Sequence, residues 1–421
     1  MANLTKNDIA WNTLFDRYDL LTKIRNDSYF EITAAQINEE RESRLMAKFD
    51  HSVNLPAIFK EHHLSILPLS RSKYIVGQFR TYFTIASDFE KQHVFFEIPY
   101  NIESISFPNL HSESLALNYA YIAGLITDFL GEEAYQTLSG RMSTGCFDFT
   151  IGNRSITVKN SQCEIDAGFE SNNYLLLIEA KNYAVDDFLI RQLYYPFRLW
   201  SSKVHKRVIP ALMTFSNDTF TFYEFQFTDI SQYSSLVLTR AVEYSLQPEP
   251  ISSDDIMSLL QGLSPVESTE SIPFPQADKF ERVIDLLSLL AEKELTKDDI
   301  TANYQFNIRQ TQYYTDAGRY LGLINKINES DDITFCLTDD ARKIFNSSYK
   351  NKYLGIIATI LTRPVFCKVF QESLRIGAVP SQDAIVTIMQ QANLAISGTT
   401  LPRRARTVSS WVNWIWGQIE V

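Results

Sequence analysis

The short apolar run Tyr174–Ile178, ending in Glu179-Ala180-Lys181, constrains this chain more than any other stretch. Its length and composition suit a buried strand rather than a helix. Side chains alternate along a strand, so Glu179 and Lys181 share one face and Ala180 packs on the other. Glu164-Ile165-Asp166 is a second extended piece. Glu170-Ser171-Asn172-Asn173 between the two is turn chemistry, because Asn tolerates positive φ. A loop at Asn172-Asn173 pairs Ser171 with Tyr174, and that register sets Asp166 opposite Glu179; a four-residue loop gives the same pairing. Directly opposed Cβ atoms lie about 4.5–5.5 Å apart. Two carboxylates at that spacing repel, so stability alone does not account for them. A divalent cation removes the objection, and hard oxygen ligands point to Mg2+ or Mn2+. Lys181, on the same face, can orient or activate a water or stabilise developing negative charge. The competing reading is an exposed hairpin with a simple Glu179–Lys181 ion pair.

Asp166…Glu179-Ala180-Lys181 resembles the PD-(D/E)XK nuclease motif, in which an acidic residue in a hairpin precedes E-x-K. The resemblance implies Asp166 and Glu179 as ligands of Mg2+, with Mn2+ as a substitute, and Lys181 as the catalytic lysine. Ile165 stands where a proline precedes the acid in many members. The family also places an acidic residue on a helix before the sheet and, in some members, a glutamine on the helix after the motif. Glu113 and Gln192 match those places. Glu113 equally suits a helix first turn, where a carboxylate complements the dipole.

The 421 residues suggest two to four domains. Four scattered cysteines, without a CxxC, speak against a structural zinc site and a disulfide framework. No signal-peptide pattern opens the chain and no apolar run approaches about 18 residues, so a soluble cytoplasmic protein without a membrane partner is expected. Net charge is -11, so any grip on phosphate must come from a local basic patch.

Residues 1–105 form an N-terminal mixed α/β region, with a helix over Asp8–Ile24, charged helix formers over Ile32–Phe49 and strands over Leu64–Phe83. Residues 106–246 hold the nuclease core. Ser112 caps a helix that Gly131 stops. Two strands around Gly152-Asn153 lead into the hairpin as an antiparallel meander, and a helix runs from Asp186-Asp187 through Trp200, strained at Pro196. Residues 247–277, rich in proline, are a linker. Residues 278–347 have the order helix, helix, helix, wing, which resembles a winged helix. Arg309, Gln310 and Gln312 open its third helix, where base edges are met; the acidic wing equally suits a protein partner. Residues 348–421 are a basic helical tail with eight Lys/Arg against three acids from 350 onward. Arg403, Arg404 and Arg406 precede a helix anchored by Trp411, Trp414 and Trp416 and suit phosphate contacts.

The expected fold is therefore α+β: a mixed-sheet PD-(D/E)XK nuclease core with an accessory N-terminal region and C-terminal winged-helix and helical domains. The expected function is that of a sequence-specific, Mg2+-dependent double-stranded DNA endonuclease, resembling a type II restriction enzyme, with a homodimer left open. The alternatives are a structure-directed repair or recombination nuclease and a non-enzymatic DNA-binding regulator on a nuclease scaffold.

Overall fold

The computed structural model describes residues 4–99, 102–151, 154–246, 249–266, 272–329, 332–392, 394 and 400–420. The turn expected at Gly152-Asn153 lies outside these residues. The fold is mixed α and β, built around a mixed sheet. No single helix among the described residues is long and apolar enough to cross a membrane.

Seven strands form that sheet, in the order Gln92–Phe96, Leu236–Leu246, Thr219–Phe227, Arg207–Ser216, Tyr174–Lys181, Gln162–Glu170, Tyr135–Ser143. Tyr174–Lys181 runs parallel to Arg207–Ser216, and Leu236–Leu246 runs parallel to Gln92–Phe96. The other neighbours are antiparallel. The strand Tyr174–Lys181 is central and its residues from Leu175 onward are buried, which explains its continuous apolar run: a strand covered on both faces has no polar side to alternate with.

Helices Glu113–Ile122 and Leu125–Leu130 cover one face, against Ile178, Ala180 and Phe222. Ser112 caps the first of them, its hydroxyl accepting the N–H of Leu115 at 3.3 Å. The single helix expected over this stretch is two, because Gly124 takes φ +78° and breaks the ladder between them. Helix Arg191–Ser201 covers the other face together with the hairpin Cys146–Ile151/Arg154–Lys159. That hairpin does not continue the sheet as the expected meander would. Its strands pair with each other, and Phe149 packs on Tyr194 and Tyr233. Tyr135–Ser143 takes the edge beside Gln162–Glu170 instead, and Gly168 permits the approach: a Cβ there would meet Leu138 Cβ at 2.8 Å.

The N-terminal unit packs Trp11, Phe15 and Phe59 under a three-stranded antiparallel sheet of Tyr29–Thr33, Lys73–Gly77 and Ser65–Pro68. Asp19, at φ 49°, divides its first helical stretch into Lys6–Tyr18 and Leu20–Asp27. Ile32 belongs to a strand, not to the helical stretch expected over Ile32–Phe49. The border expected at residue 105 falls after Gln92–Phe96, a strand of the main sheet.

In the C-terminal part, helices Phe280–Glu292, Lys297–Asn303 and Ile308–Tyr320 precede the paired strands Ile324–Glu329 and Asp332–Leu337. Helices Tyr349–Leu361, Pro364–Ile376, Gln382–Gln391 and Leu401–Trp416 follow. All share one apolar core, in which Phe280 lies between Trp411 and Trp414. The expected linker also contributes to it: Ile251, Ile256, Phe274 and Ala277 are buried there, and Ser253–Gly262 is a helix.

Among the ion pairs that tie this part to the rest, two show how burial decides their worth. Lys6–Asp298 is two-thirds exposed on both sides and contributes about 0–1 kcal/mol. Lys352 Nζ donates to both oxygens of Asp218 at 2.8 and 2.9 Å, and both side chains are buried; losing one partner of such a pair costs about 3–5 kcal/mol. Asp285 is a third tie. It accepts the Ala184 N–H at 3.1 Å and the Ser216 hydroxyl at 2.7 Å, and burial raises its pKa to about 7. A carboxyl raised in the folded state favours folding most below its ordinary pKa of 3.8, and that contribution is lost as pH rises through about 7. Urea denaturation should therefore show stability falling between weakly acidic and neutral pH, with a shallower fall in Asp285→Asn, whose amide does not titrate, its oxygen still accepting the Ala184 N–H and its NH2 donating to the Ser216 hydroxyl oxygen.

Candidate active site

The hairpin Gln162–Glu170/Tyr174–Lys181 has the register expected: Leu175 pairs with Glu170 and Ile178 with Ala167. Ser171 donates its N–H to Tyr174 at 3.0 Å in the turn. One residue beyond the last pair, the bonding passes to a side chain: Asp166 Oδ2 accepts the Ala180 N–H at 2.7 Å. The strand also changes face here, since Ile165 packs with Leu175 and Leu177 whereas Ala167 packs under the opposite helices. Asp166 thus sits at the irregular end of the ladder, with its carboxylate aimed at the neighbouring strand.

Glu179 and Lys181 share a face and are 7% and 6% exposed. Lys181 Nζ donates to Glu179 Oε1 at 2.6 Å and lies 4.0 Å from Glu113 Oε1. Gln192, in the first turn of Arg191–Ser201, donates its amide to the same Glu179 oxygen. The structure therefore brings Glu113, Asp166, Glu179, Lys181 and Gln192 together. Glu113 also opens its helix, so the dipole role and the site role coincide in one residue.

Asp50 joins them, and nothing local in the sequence marks it. Its backbone neighbours are held from both sides. Phe49 O accepts from the Tyr82 hydroxyl at 2.7 Å, while buried His51 meets Asp187 O at 2.7 Å and the Tyr183 hydroxyl at 2.8 Å. Ser52 bonds Asp187 through its N–H and its hydroxyl. These contacts seat the Asp50 carboxylate within coulombic reach of Lys181, Glu113 and Glu179 and 3.5 Å from Lys48.

Four carboxyl groups around one buried lysine leave the site negative. Burial pushes Glu179 up to about 7 against the pull of Lys181, with Asp166 adding to the rise. Burial likewise raises Asp166 and Glu113. Asp50 goes the other way: burial opposes its charge, but Lys181, Lys48 and Arg191 hold it below the usual carboxylate range. Burial works against the Lys181 charge, yet Glu179, Glu113 and Asp50 hold it well above the ordinary lysine range.

Among the described residues, no three His, Cys, Asp or Glu side chains converge as a metal cage. The donor set nevertheless suits Mg2+, which uses one or two carboxylates and takes its other ligands from water and phosphate. Asp166 and Glu179 are the two carboxylates expected to take that part. Asp50 Oδ1 and Gln192 Oε1 are buried acceptors without a hydrogen-bond partner, as expected of oxygens that water or a cation would satisfy.

A cleft of about 360 Å³ opens on Asp166 and Glu113. Its opposite wall is C-terminal: Leu289, Glu292 and Lys293 from the end of Phe280–Glu292 and just beyond, and Tyr304. The helix expected from Asp186-Asp187 begins only at Arg191, since Asp187–Leu189 pairs with Tyr82–Thr84 as a strand.

The expected DNA-contacting residues lie elsewhere. Arg309 is exposed. Gln310 closes a capping box with Asn307, so its carbonyl is already bonded. Gln312 donates to Asp316 at 2.7 Å. Arg403, Arg404 and Arg406 do not precede a helix: they lie in its first turns, because Leu401–Trp416 takes Pro402 into its first turn, where a missing N–H is tolerated. Arg403 stacks over Tyr313 of Ile308–Tyr320, 5.8 Å from the ring centroid, so the two expected DNA elements are neighbours.

Three family models match the chain, each described only as a domain of unknown function: DUF6996 over residues 8–76, DUF6997 over 77–245 and DUF7226 over 282–420. No curated protein and no solved structure matches it. The second match spans the whole seven-stranded sheet, and the third runs through both C-terminal segments.

Lys181→Met should destabilise the fold by about 3–5 kcal/mol at pH 8, where the carboxylates it leaves are ionised, and by less at pH 5, where protonation relieves them. Urea denaturation at the two pH values measures the difference.

Proposed function

We propose that this protein is a metal-dependent DNA endonuclease of the PD-(D/E)XK kind. One observation carries the reading: a buried lysine bonded to Glu179, with Asp166 presented from the adjacent strand at the floor of a cleft. Neither packing nor stability calls for this cluster, because burying Glu179 and Lys181 beside three further carboxyls is costly.

Asp166 and Glu179 would hold Mg2+, with Mn2+ as a substitute. Bound there, the ion supplies a Lewis acid for the scissile phosphate and lowers the pKa of a bound water. Gln192 fixes the Glu179 carboxylate by donating to it, which keeps its orientation constant through turnover. Lys181, held protonated, faces the phosphate oxygens with a fixed positive charge and orients the attacking water. In hydrolysis the water would lose one proton to solvent as its oxygen joins phosphorus, one phosphorus–oxygen ester bond would break, and the leaving oxygen would take a proton from solvent. Glu113, 42% exposed in its side chain, lies where it can accept a hydrogen bond from water entering the cleft.

Sequence-specific cutting of the type II restriction kind is the favoured biological role. The order of helices and strands over 278–347, that of a winged helix, and the arginines beside it support it. Arg309 is the best-placed base reader, since Gln310 and Gln312 already have partners within the chain. A second reading, a nuclease directed by DNA structure, is favoured by the C-terminal wall that faces Asp166 across the cleft.

Asp166→Ala should abolish Mg2+-dependent cleavage of a long mixed-sequence DNA and leave DNA binding intact; retained cleavage would refute the assignment. Mg2+ or Mn2+ should support cutting, and Ca2+ should support binding without cutting, because its longer and looser ligand geometry misaligns the attack. Arg309→Ala should cost about 1–3 kcal/mol on the preferred sequence only, whereas Arg406→Ala should weaken all sequences and make the salt dependence shallower by about one unit of slope. Titrations of preferred and random duplexes at several salt concentrations separate the two.

A further inference from the structure

The cleft above Asp166 is walled on its far side by a part of the protein that is fixed in place. Asn54, from the N-terminal unit, donates to Tyr304 O at 2.9 Å and to Thr301 O at 2.8 Å. Gln305 accepts the Asp186 N–H at 2.8 Å, and Arg282 reaches Asp186 at 3.0 Å. Asp285 bonds Ala184 and Ser216, and the Tyr304 ring meets the edge of Tyr183 at 5.4 Å. Contacts from the other two units hold Tyr304 and the end of Phe280–Glu292 opposite Asp166.

The space so enclosed, about 360 Å³, lies at the small end of ligand pockets, which run about 300–1,000 Å³. It cannot admit paired DNA, whose major groove alone is about 12 Å wide. It does have room for one nucleotide. Its walls suit one: the Tyr304 ring with Leu117 and Leu289 offers an apolar and aromatic surface, Ser112 and Asn182 offer polar groups, and exposed Lys293 stands at the rim. An aromatic face for the base and a cation for the backbone are the usual means of holding an unpaired strand.

We infer that the cleft between Asp166 and Tyr304/Lys293 is a binding site for a single unpaired DNA strand, which brings one nucleotide at a time to the site. The inference rests on the nuclease reading and narrows its substrate: the strand to be cut leaves the duplex, or is already unpaired, before its phosphate reaches Asp166. Drawing a nucleotide out is easiest at mismatches, bubbles and ends. Glu113 and Glu292 also line the cleft and repel phosphate, so occupancy requires a divalent cation.

The test is fluorescence anisotropy with the full chain in Ca2+, using three DNAs: a fully paired duplex sealed by hairpin ends, the same duplex with a short internal bubble, and the single strand. The bubble and the single strand should bind about ten-fold tighter than the sealed duplex, the scale of one base–aromatic stack. Tyr304→Leu and the surface change Lys293→Glu should each remove that preference. Equal or tighter binding of the sealed duplex would overturn the inference. So would an unchanged preference in Lys293→Glu, a variant whose folding is not in question. A parallel Mg2+ cleavage assay keeps the two readings apart. Preference for the bubble without cleavage of any of the three removes the nuclease reading and leaves the strand site. Cleavage of the sealed duplex without such preference removes the strand site and leaves the nuclease.

Discussion

Everything in this structure converges on the six residues that follow Lys181. Asn182 bonds His111 at the entry to the capped helix, and Tyr183 bonds His51 of the N-terminal unit. Ala184 bonds Asp285 and Asp186 bonds Gln305, both C-terminal, while Asp187 holds His51 and Ser52. A segment this short, extending from the central strand, fixes three units against one another because its polar groups are divided among them. Backbone groups that leave a sheet must find partners or water, and here the partners come from outside the sheet. The same contacts determine where Asp50 and Tyr304 stand, so the surroundings of Lys181 follow from them.

The electrostatics of the site depend on that placement. A lysine with Glu179 alone would be an ordinary buried pair. With Asp50, Glu113 and Asp166 added, carboxyls outnumber the one buried lysine, and burial, with their mutual repulsion, makes Glu179, Asp166 and Glu113 hold protons more readily, while Asp50, beside Lys181 and Lys48, goes the other way. Structural ion pairs tend toward balance, since an uncompensated buried charge costs several kcal/mol. An imbalance maintained by so many anchoring contacts is what a site for a cation and an anionic substrate needs.

What the sequence made legible was local. The hairpin register follows from a turn at Asn172-Asn173 and from side-chain alternation, both set within some twenty residues, and the structure has it as far as Ala167 and Ile178. The Ser112 cap and the position of Gln192 on the next helix are of the same short range. Asp50 was not legible: it lies more than a hundred residues from the motif and arrives through His51, Tyr183 and Asp187, whose pairing no periodicity encodes. The edge strand Tyr135–Ser143 was hidden by its exposure and its two register shifts, which blur alternation. The tail arginines, expected before a helix, stand inside one that begins at Leu401, with Pro402 in its first turn.

The buried pair between Lys352 and Asp218 bears on how such a chain can change over time. Three separate family models cover it, which invites the view of modules that shuffle independently. Yet detaching the C-terminal segment would strand one charge on each side: a carboxylate at the tip of a sheet turn and an ammonium inside a helical core. A recombination event that joined either piece to a foreign neighbour would have to supply the missing counter-charge or replace the orphan with an apolar residue at the same step. The second and third matched segments therefore separate without a stranded charge only if two positions, 134 residues apart in the chain, change together.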